Sequence, residues 1–308
     1  MSRAKERKAD VLTGYGIIKF MEMVKNKAAL FLRMIRFSHS LFALPFAFTG
    51  AILASGGVPR MGKIFWITAA MVGARSGAMG LNRIIDRKID AANPRTAGRE
   101  IPSGRIRVAD ALIFSVIAFA FMVFAAYRLN SLCLELSFPA IFVLIIYSYT
   151  KRFTWMSHFV LGAAIAAAPL GAWIAVRGTI DKEILPLCIA VIFWLAGFDV
   201  LYSLQDAEFD NAYGLQSIPQ KFGTKKALLL SKTCHAITWI ALASLGETFH
   251  LGVIYWLGLF VIAALLVYEH SLVKEGDLSR LDMAFFNMNG YISVAVFAFT
   301  LAALIRWR

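Results

Sequence analysis

The chain has 308 residues, of which 59% are hydrophobic and 17% charged, with a formal net charge of +13. Soluble domains run at roughly 45–50% apolar and about 25% charged, so this balance excludes a disordered chain and an ordinary soluble enzyme. In a membrane protein the positive excess reports orientation and anionic partners rather than nucleic-acid binding.

Residues 1–36 are basic and contain no apolar signal-peptide core before Phe37. They are expected to form a basic N-terminal segment, either an interfacial amphipathic helix or a partly disordered tail. From residue 37 to 308 the chain reads as one membrane domain. Spans of the ~20 apolar residues a membrane helix needs are predicted at 37–59, 64–82, 108–127, 131–150, 153–176, 184–205, 226–246, 248–268 and 283–305. The expectation is therefore an all-α integral membrane protein of about nine helices. Cys133, Cys188 and Cys234 are scattered through these apolar runs and make neither a disulfide framework nor a metal cluster.

Nine spans place the termini on opposite sides. The N-terminal side then carries 24 Lys and Arg residues and the other side seven. The positive-inside rule puts the N-terminus in the cytoplasm, in a bacterial-type inner membrane. The longest polar segments, 83–107 and 206–225, fall on that side, each after an even-numbered span.

The acids are few and grouped. Of 19 Asp and Glu residues, six lie in two windows at cytoplasmic helix ends. Asn82, Asp86 and Asp90 are spaced by four, as are Tyr202, Asp206 and Asp210, with Asp199 one heptad before Asp206. Steps of four drift only ~40° around a helix, so each set forms a ladder on one face. Stacked carboxylates repel and need a counter-charge near hydrocarbon. Open oxygen-rich sites suit Mg²⁺, which keeps waters and bridges to substrate phosphates. The plainer alternative is surface pairing with Arg83, Arg87 and Lys88.

Other residues on the same side extend the pattern. Arg95 and Arg99 lie between the Asn93-Pro94 and Pro102-Ser103-Gly104 turns, and guanidinium groups suit phosphate oxygens. Tyr147 and Lys151 end the fourth span at i,i+4 spacing. Arg75 shares the face of the first ladder; inside a span it must meet an anion, either a substrate or an acid such as Glu135. The histidines, His158 and His235 among them, show no ligand spacing and read as packing residues.

These residues resemble the UbiA superfamily of intramembrane aromatic prenyltransferases. The resemblance rests on the two aspartate motifs and on the runs DAANPRTAGREIPSG, YSYTKRFT and GLQSIPQKFG. It implies helices around a central cavity, capped by the cytoplasmic loops after helices 2 and 6. It also implies two Mg²⁺ at Asn82, Asp86, Asp90, Asp206 and Asp210, with Arg95, Arg99, Tyr147, Lys151 and Tyr202 around a polyprenyl diphosphate. Asp199, Asp206 and Lys151 would be catalytic, with Asp199 or the released diphosphate removing the ring proton. Arg36 or Arg75 would hold the carboxylate of an aromatic acid, and the tail would leave sideways into membrane lipid. Many 4-hydroxybenzoate enzymes read Asn-Asp where this chain has Asn82-Arg83. The acceptor is accordingly 4-hydroxybenzoate in respiratory quinone synthesis or 1,4-dihydroxy-6-naphthoate in menaquinone synthesis. An ion-coupled transporter is the remote rival, although transporter sites usually lie at the midplane on broken helices.

Overall fold

Hydrocarbon offers backbone groups no hydrogen-bond partner, so apolar spans fold as helices that satisfy their own N–H and C=O groups. The computed structural model describes residues 29–35 and 43–306, and among these the secondary structure is helical, with no strand. In chain order the helices are α1 (Ala43–Ser55), α2 (Met61–Ile85), α3 (Arg87–Ala92), α4 (Val108–Leu129), α5 (Ser131–Thr150) and α6 (Ser157–Arg177). They continue as α7 (Leu185–Ser203), α8 (Ala207–Tyr213), α9 (Ile218–Phe222), α10 (Thr224–Thr248), α11 (Val253–Leu272) and α12 (Asn289–Arg306).

Among the described residues eight helical segments are long and apolar enough to cross a membrane. The first expected span, 37–59, appears as the 13-residue α1; Arg36 and residues 37–42 lie outside the described residues. The break between the seventh and eighth spans falls at 249–252, later than the sequence suggests. Glu247 and Thr248 still continue α10, and His250 makes the turn with a left-handed backbone, φ 49°. The last span begins as a π-helical turn, Met283–Met288, before α12.

The helices close into a ring. α2 lies along α4, α7 is held between α6 and α10, α11 pairs with α12, and α12 returns to α1, which rests on α6. Close approach of α6 to α7 depends on Gly162, where a Cβ would sit 2.5 Å from the Ile192 carbonyl oxygen. Such small-residue contacts replace the hydrophobic drive that lipid cannot supply between helices. The interior is filled by Phe46, Ile174, Leu187, Trp194, Leu242, Leu245, Leu259 and Ile292. The outer faces carry exposed Ile113, Ile117, Phe138, Phe142, Phe260 and Val267, as a lipid-facing surface should.

The two ends of the ring differ chemically. At one end Lys63 donates to the carbonyls of Leu129 at 3.0 Å and Ala175 at 2.7 Å, in the last turns of α4 and α6, a cation against two negative helix ends. At the other end the polar segments around α3 and α8 meet. Residues 29–34 form a helical turn near that end. There Met34 and Ile35 are buried with Ile84, Ile101, Ile106 and Ala111, and Phe31 stacks on Phe114 with centroids 4.9 Å apart.

Candidate active site

Each ladder straddles a helix junction. α2 stops at Ile85 and α3 starts at Arg87, yet Asp86 N–H still bonds Asn82 O at 2.9 Å and Asp90 N–H bonds Asp86 O at 2.8 Å. The four-residue register therefore survives the break. On the other side Asp206 ends a 3₁₀ turn, Leu204–Asp206, between α7 and α8. Asn82, Asp86, Asp90, Tyr202, Asp206 and Asp210 all line one cavity of about 330 Å³, together with Arg75, Arg95, Arg99, Tyr147, Lys151 and Asp199. Of the candidate site residues, Arg36 alone falls outside the described residues.

Of the three basic neighbours in sequence, only Arg83 pairs with a ladder carboxylate, at 3.9 Å from Asp90. Arg87 and Lys88 point away and are exposed. Asp86, 3% exposed, instead meets Lys151 Nζ at 2.6 Å through Oδ2 and Arg152 at 2.9 Å through Oδ1. The Asn82 side-chain amide donates to Asp86 Oδ2 at 3.2 Å. Asp90 takes Arg99 at 2.7 Å on Oδ1, while its Oδ2, 3.9 Å from Arg83, is buried without a hydrogen bond. Asp206 is gripped by both arms of the Arg95 guanidinium and accepts from the Asn93 amide at 3.0 Å. Arg95 also donates to the Tyr202 hydroxyl at 3.3 Å. Burial opposes the charge of Arg95, but the hydrogen bond and charge of Asp206 hold its pKa above the ordinary arginine value. The two polar segments are thus tied across the mouth, and Gln216 N–H bonds Lys151 O at 2.8 Å as a further link.

The lining holds five carboxylates and five Lys or Arg groups, so its formal charges cancel. A multiply charged phosphate entering here would be left uncompensated by the protein alone. Added cations would restore the balance, and the orphaned Asp90 oxygen is a ready ligand atom. Among the described residues no three Asp, Glu, His or Cys groups form a closed metal cage. That donor set fits Mg²⁺, which takes one or two carboxylates and leaves its other positions to water and phosphate.

Several contributors were not legible beforehand. His158, read from sequence as a packing residue, lies on the cavity wall with Nδ1 2.7 Å from Asp199 Oδ2. Arg152 and Asn93 bond the aspartates directly. Their one local signal was adjacency, to Lys151 and to the Asn93-Pro94 turn respectively. Below the charges an aromatic wall descends into the bundle. Tyr202 stacks on Phe285 at 4.0 Å, Phe285 contacts Phe198 at 5.3 Å, and Phe198 contacts Trp194 at 4.8 Å.

Known proteins resemble this chain in sequence and fold. Residues 43–291 match the UbiA prenyltransferase family. A 4-hydroxybenzoate octaprenyltransferase of Pseudomonas aeruginosa (strain UCBPP-PA14) is 30% identical over 250 residues, 81% of this chain and 84% of that protein. A Vibrio cholerae protein of the same name is 27% identical over 267 residues, covering 87% and 93%. The solved apo structure of a UbiA homologue from Aeropyrum pernix K1 superposes with a TM-score of 0.78 at 30% identity, over 86% of this chain and 97% of that one. A UbiA homologue from Archaeoglobus fulgidus bound to DMAPP and Mg²⁺ has a TM-score of 0.70 at 21% identity, over 89% and 99%. With its helical ring, apolar surface and full-length relatives, the chain belongs to the UbiA prenyltransferase family and is an integral membrane prenyltransferase.

Proposed function

We propose that this chain transfers a polyprenyl group from a polyprenyl diphosphate to a ring carbon of 4-hydroxybenzoate, with Mg²⁺ required. The observation that carries this reading is the meeting of Asp86, Asp90, Asp206 and Asp210 in one charge-balanced cavity. The relatives' name supports the acceptor, and the DMAPP and Mg²⁺ held by the Archaeoglobus homologue accord with the donor and metal. Two Mg²⁺, one at Asn82, Asp86 and Asp90 and one at Asp206 and Asp210, would neutralise the diphosphate as it leaves.

The protein's own residues divide the remaining work. Lys151, Arg95 and Arg99 now bond carboxylates; with donor present they turn to phosphate oxygens, and Tyr147 and Tyr202 border the same space. Arg75, farther along α2 from the mouth, faces the acceptor carboxylate. The aromatic wall of Tyr202, Phe285 and Phe198 offers ring faces to the allylic cation and keeps water from it. Asp199 takes the ring proton. A cavity of about 330 Å³ holds the reacting heads but not a polyprenyl tail, so the tail lies between helices in membrane lipid. The charge asymmetry supports an N-terminus and a site opening on the cytoplasmic side of a bacterial inner membrane. Residues 37–308 form the catalytic domain, with the loops after the second and sixth spans as its cap.

Arg83 favours a second acceptor. It stands where many 4-hydroxybenzoate enzymes have an acid, it is 5% exposed, and it donates to Met34 O at 3.2 Å. This departure fits the branch acting on 1,4-dihydroxy-6-naphthoate. Membranes holding the protein, a polyprenyl diphosphate and Mg²⁺ would be given either acceptor, with and without EDTA, and the product sought by mass spectrometry. Prenylated 4-hydroxybenzoate that disappears with EDTA is the expected result. Naphthoate product alone reassigns the acceptor, and turnover indifferent to EDTA removes the metal assignment.

A further inference from the structure

His158 is a buried titratable group that the proposed reaction leaves without a task. It sits on α6, 4% exposed, and reaches across to α7. Its Nδ1 lies 2.7 Å from Asp199 Oδ2. From the opposite side the backbone N–H of Ile218, the first residue of α9, points at Nε2 from 3.4 Å. A backbone N–H can only donate, so Nε2 presents its lone pair. The ring then carries a proton on Nδ1 and directs that N–H at Asp199 as a hydrogen bond. Two contacts from two elements fix both the tautomer and the plane of the ring. Ile218 is itself fully buried, which anchors the outer contact.

We propose that His158 is a positioning residue for Asp199, holding Oδ2 so that Oδ1 is left to take the proton from the acceptor ring. This rests on the reading of Asp199 as the base. In the step concerned, the ring carbon forms a bond to the allylic carbon whose C–O bond breaks. The diphosphate departs with that electron pair, and the ring proton passes to Asp199 while His158 keeps its own. A base oriented by a second group is a recurring arrangement, and small misplacements of such groups are costly in rate. Because the Ile218 contact comes from the segment after Asp210, the ring also ties that segment to the orientation of the base.

The test compares His158→Phe, His158→Asn and Asp199→Asn in membranes, with ordinary and ring-deuterated 4-hydroxybenzoate. Phenylalanine keeps the volume and removes the donor. Asparagine places an amide N–H near the position of Nδ1. His158→Phe is expected to lose about tenfold to a hundredfold in kcat, with KM for the polyprenyl diphosphate little changed. It should also acquire a deuterium isotope effect on kcat that the wild type lacks, because ring deprotonation has become slow. His158→Asn should recover most of the rate. Wild-type kcat in His158→Phe, or a loss without an isotope effect that asparagine does not repair, overturns the positioning role. Wild-type turnover in Asp199→Asn overturns the base itself, a separate failure.

Discussion

Two polar clusters are buried in this bundle, and they are satisfied in opposite ways. In the cavity the carboxylates of Asp86 and Asp206 meet lysine and arginine side chains from other segments, and Asp90 meets Arg99 of its own segment. Lys151, Arg152 and Arg95 remain 31–33% exposed while doing so. The second cluster lies between α7, α10, α11 and the start of α12. There His235 donates from Nε2 to Trp194 O at 3.3 Å and its Nδ1 faces His270 Nε2 at 3.0 Å. Asn289 donates to Glu269 Oε1 at 3.3 Å and to Phe285 O at 3.0 Å. Glu269 and Asn289 are fully buried, and Glu269 Oε2, His270 Nδ1 and Asn289 Oδ1 have no hydrogen-bond partner. The first cluster can exchange partners, because its cations sit at the water boundary and can turn to an incoming phosphate. The second cannot do so readily, because His235, Glu269 and Asn289 are buried between helices and only His270 is partly exposed. On the proposed function, the cavity cluster is expected to govern rate and the closed cluster stability.

The largest effect expected from that contrast is on transfer itself. Under the proposed mechanism, Asp86→Ala or Asp206→Ala removes a carboxylate that would hold Mg²⁺ against the diphosphate. A rate loss of about 10³-fold or more is expected, since charge stabilisation at a leaving group carries several kcal/mol. Melting in detergent should shift little, because the released Lys151 or Arg95 can turn to water. Normal turnover in either variant would break the metal assignment. An unfolded variant would break the contrast, by making these acids structural. Lys151→Ala should cost less, about 10- to 100-fold in kcat/KM for the donor, the loss of one charge-assisted bond to phosphate. An unchanged donor KM and kcat would place Lys151 as a membrane-boundary anchor.

The sequence carried part of this and not the rest, for a physical reason. A four-residue spacing is a property of one helix, so the faces bearing Asn82, Asp86 and Asp90, or Tyr202, Asp206 and Asp210, could be read locally. Partners across helices could not. Asp86 bonds Lys151 65 residues away, and His158 bonds Asp199 41 residues away. Nothing in the neighbourhood of Asp86 distinguished Arg87, which turns outward, from Arg152, which turns in. Apolar runs located the membrane helices, but their ends depended on single backbone features such as the His250 turn. The Glu269 and His235 cluster left no local pattern either, because its members come one or two at a time from separate helices.

The smallest effect tests the closed cluster. Gly197 lies on α7 two residues before Asp199, and its carbonyl accepts from Ser231 Oγ at 2.7 Å. A Cβ at this position would run into the His235 ring. That ring is held by Trp194 O on one side and His270 on the other, so it has little room to yield. Gly197→Ala should therefore destabilise the bundle by about 1–3 kcal/mol, the range for overpacking a filled interior, read as a lower melting temperature in detergent. The two clusters touch through Trp194 and Phe285, whose carbonyls accept from His235 and Asn289; if no strain passes that way, kcat at a temperature well below melting should stay within ~threefold of wild type. A kcat loss as large as that of Asp206→Ala, with melting unchanged, would mean the opposite. The His235 contact would then be transmitted along α7 to Asp199, and the closed cluster would belong to the catalytic apparatus.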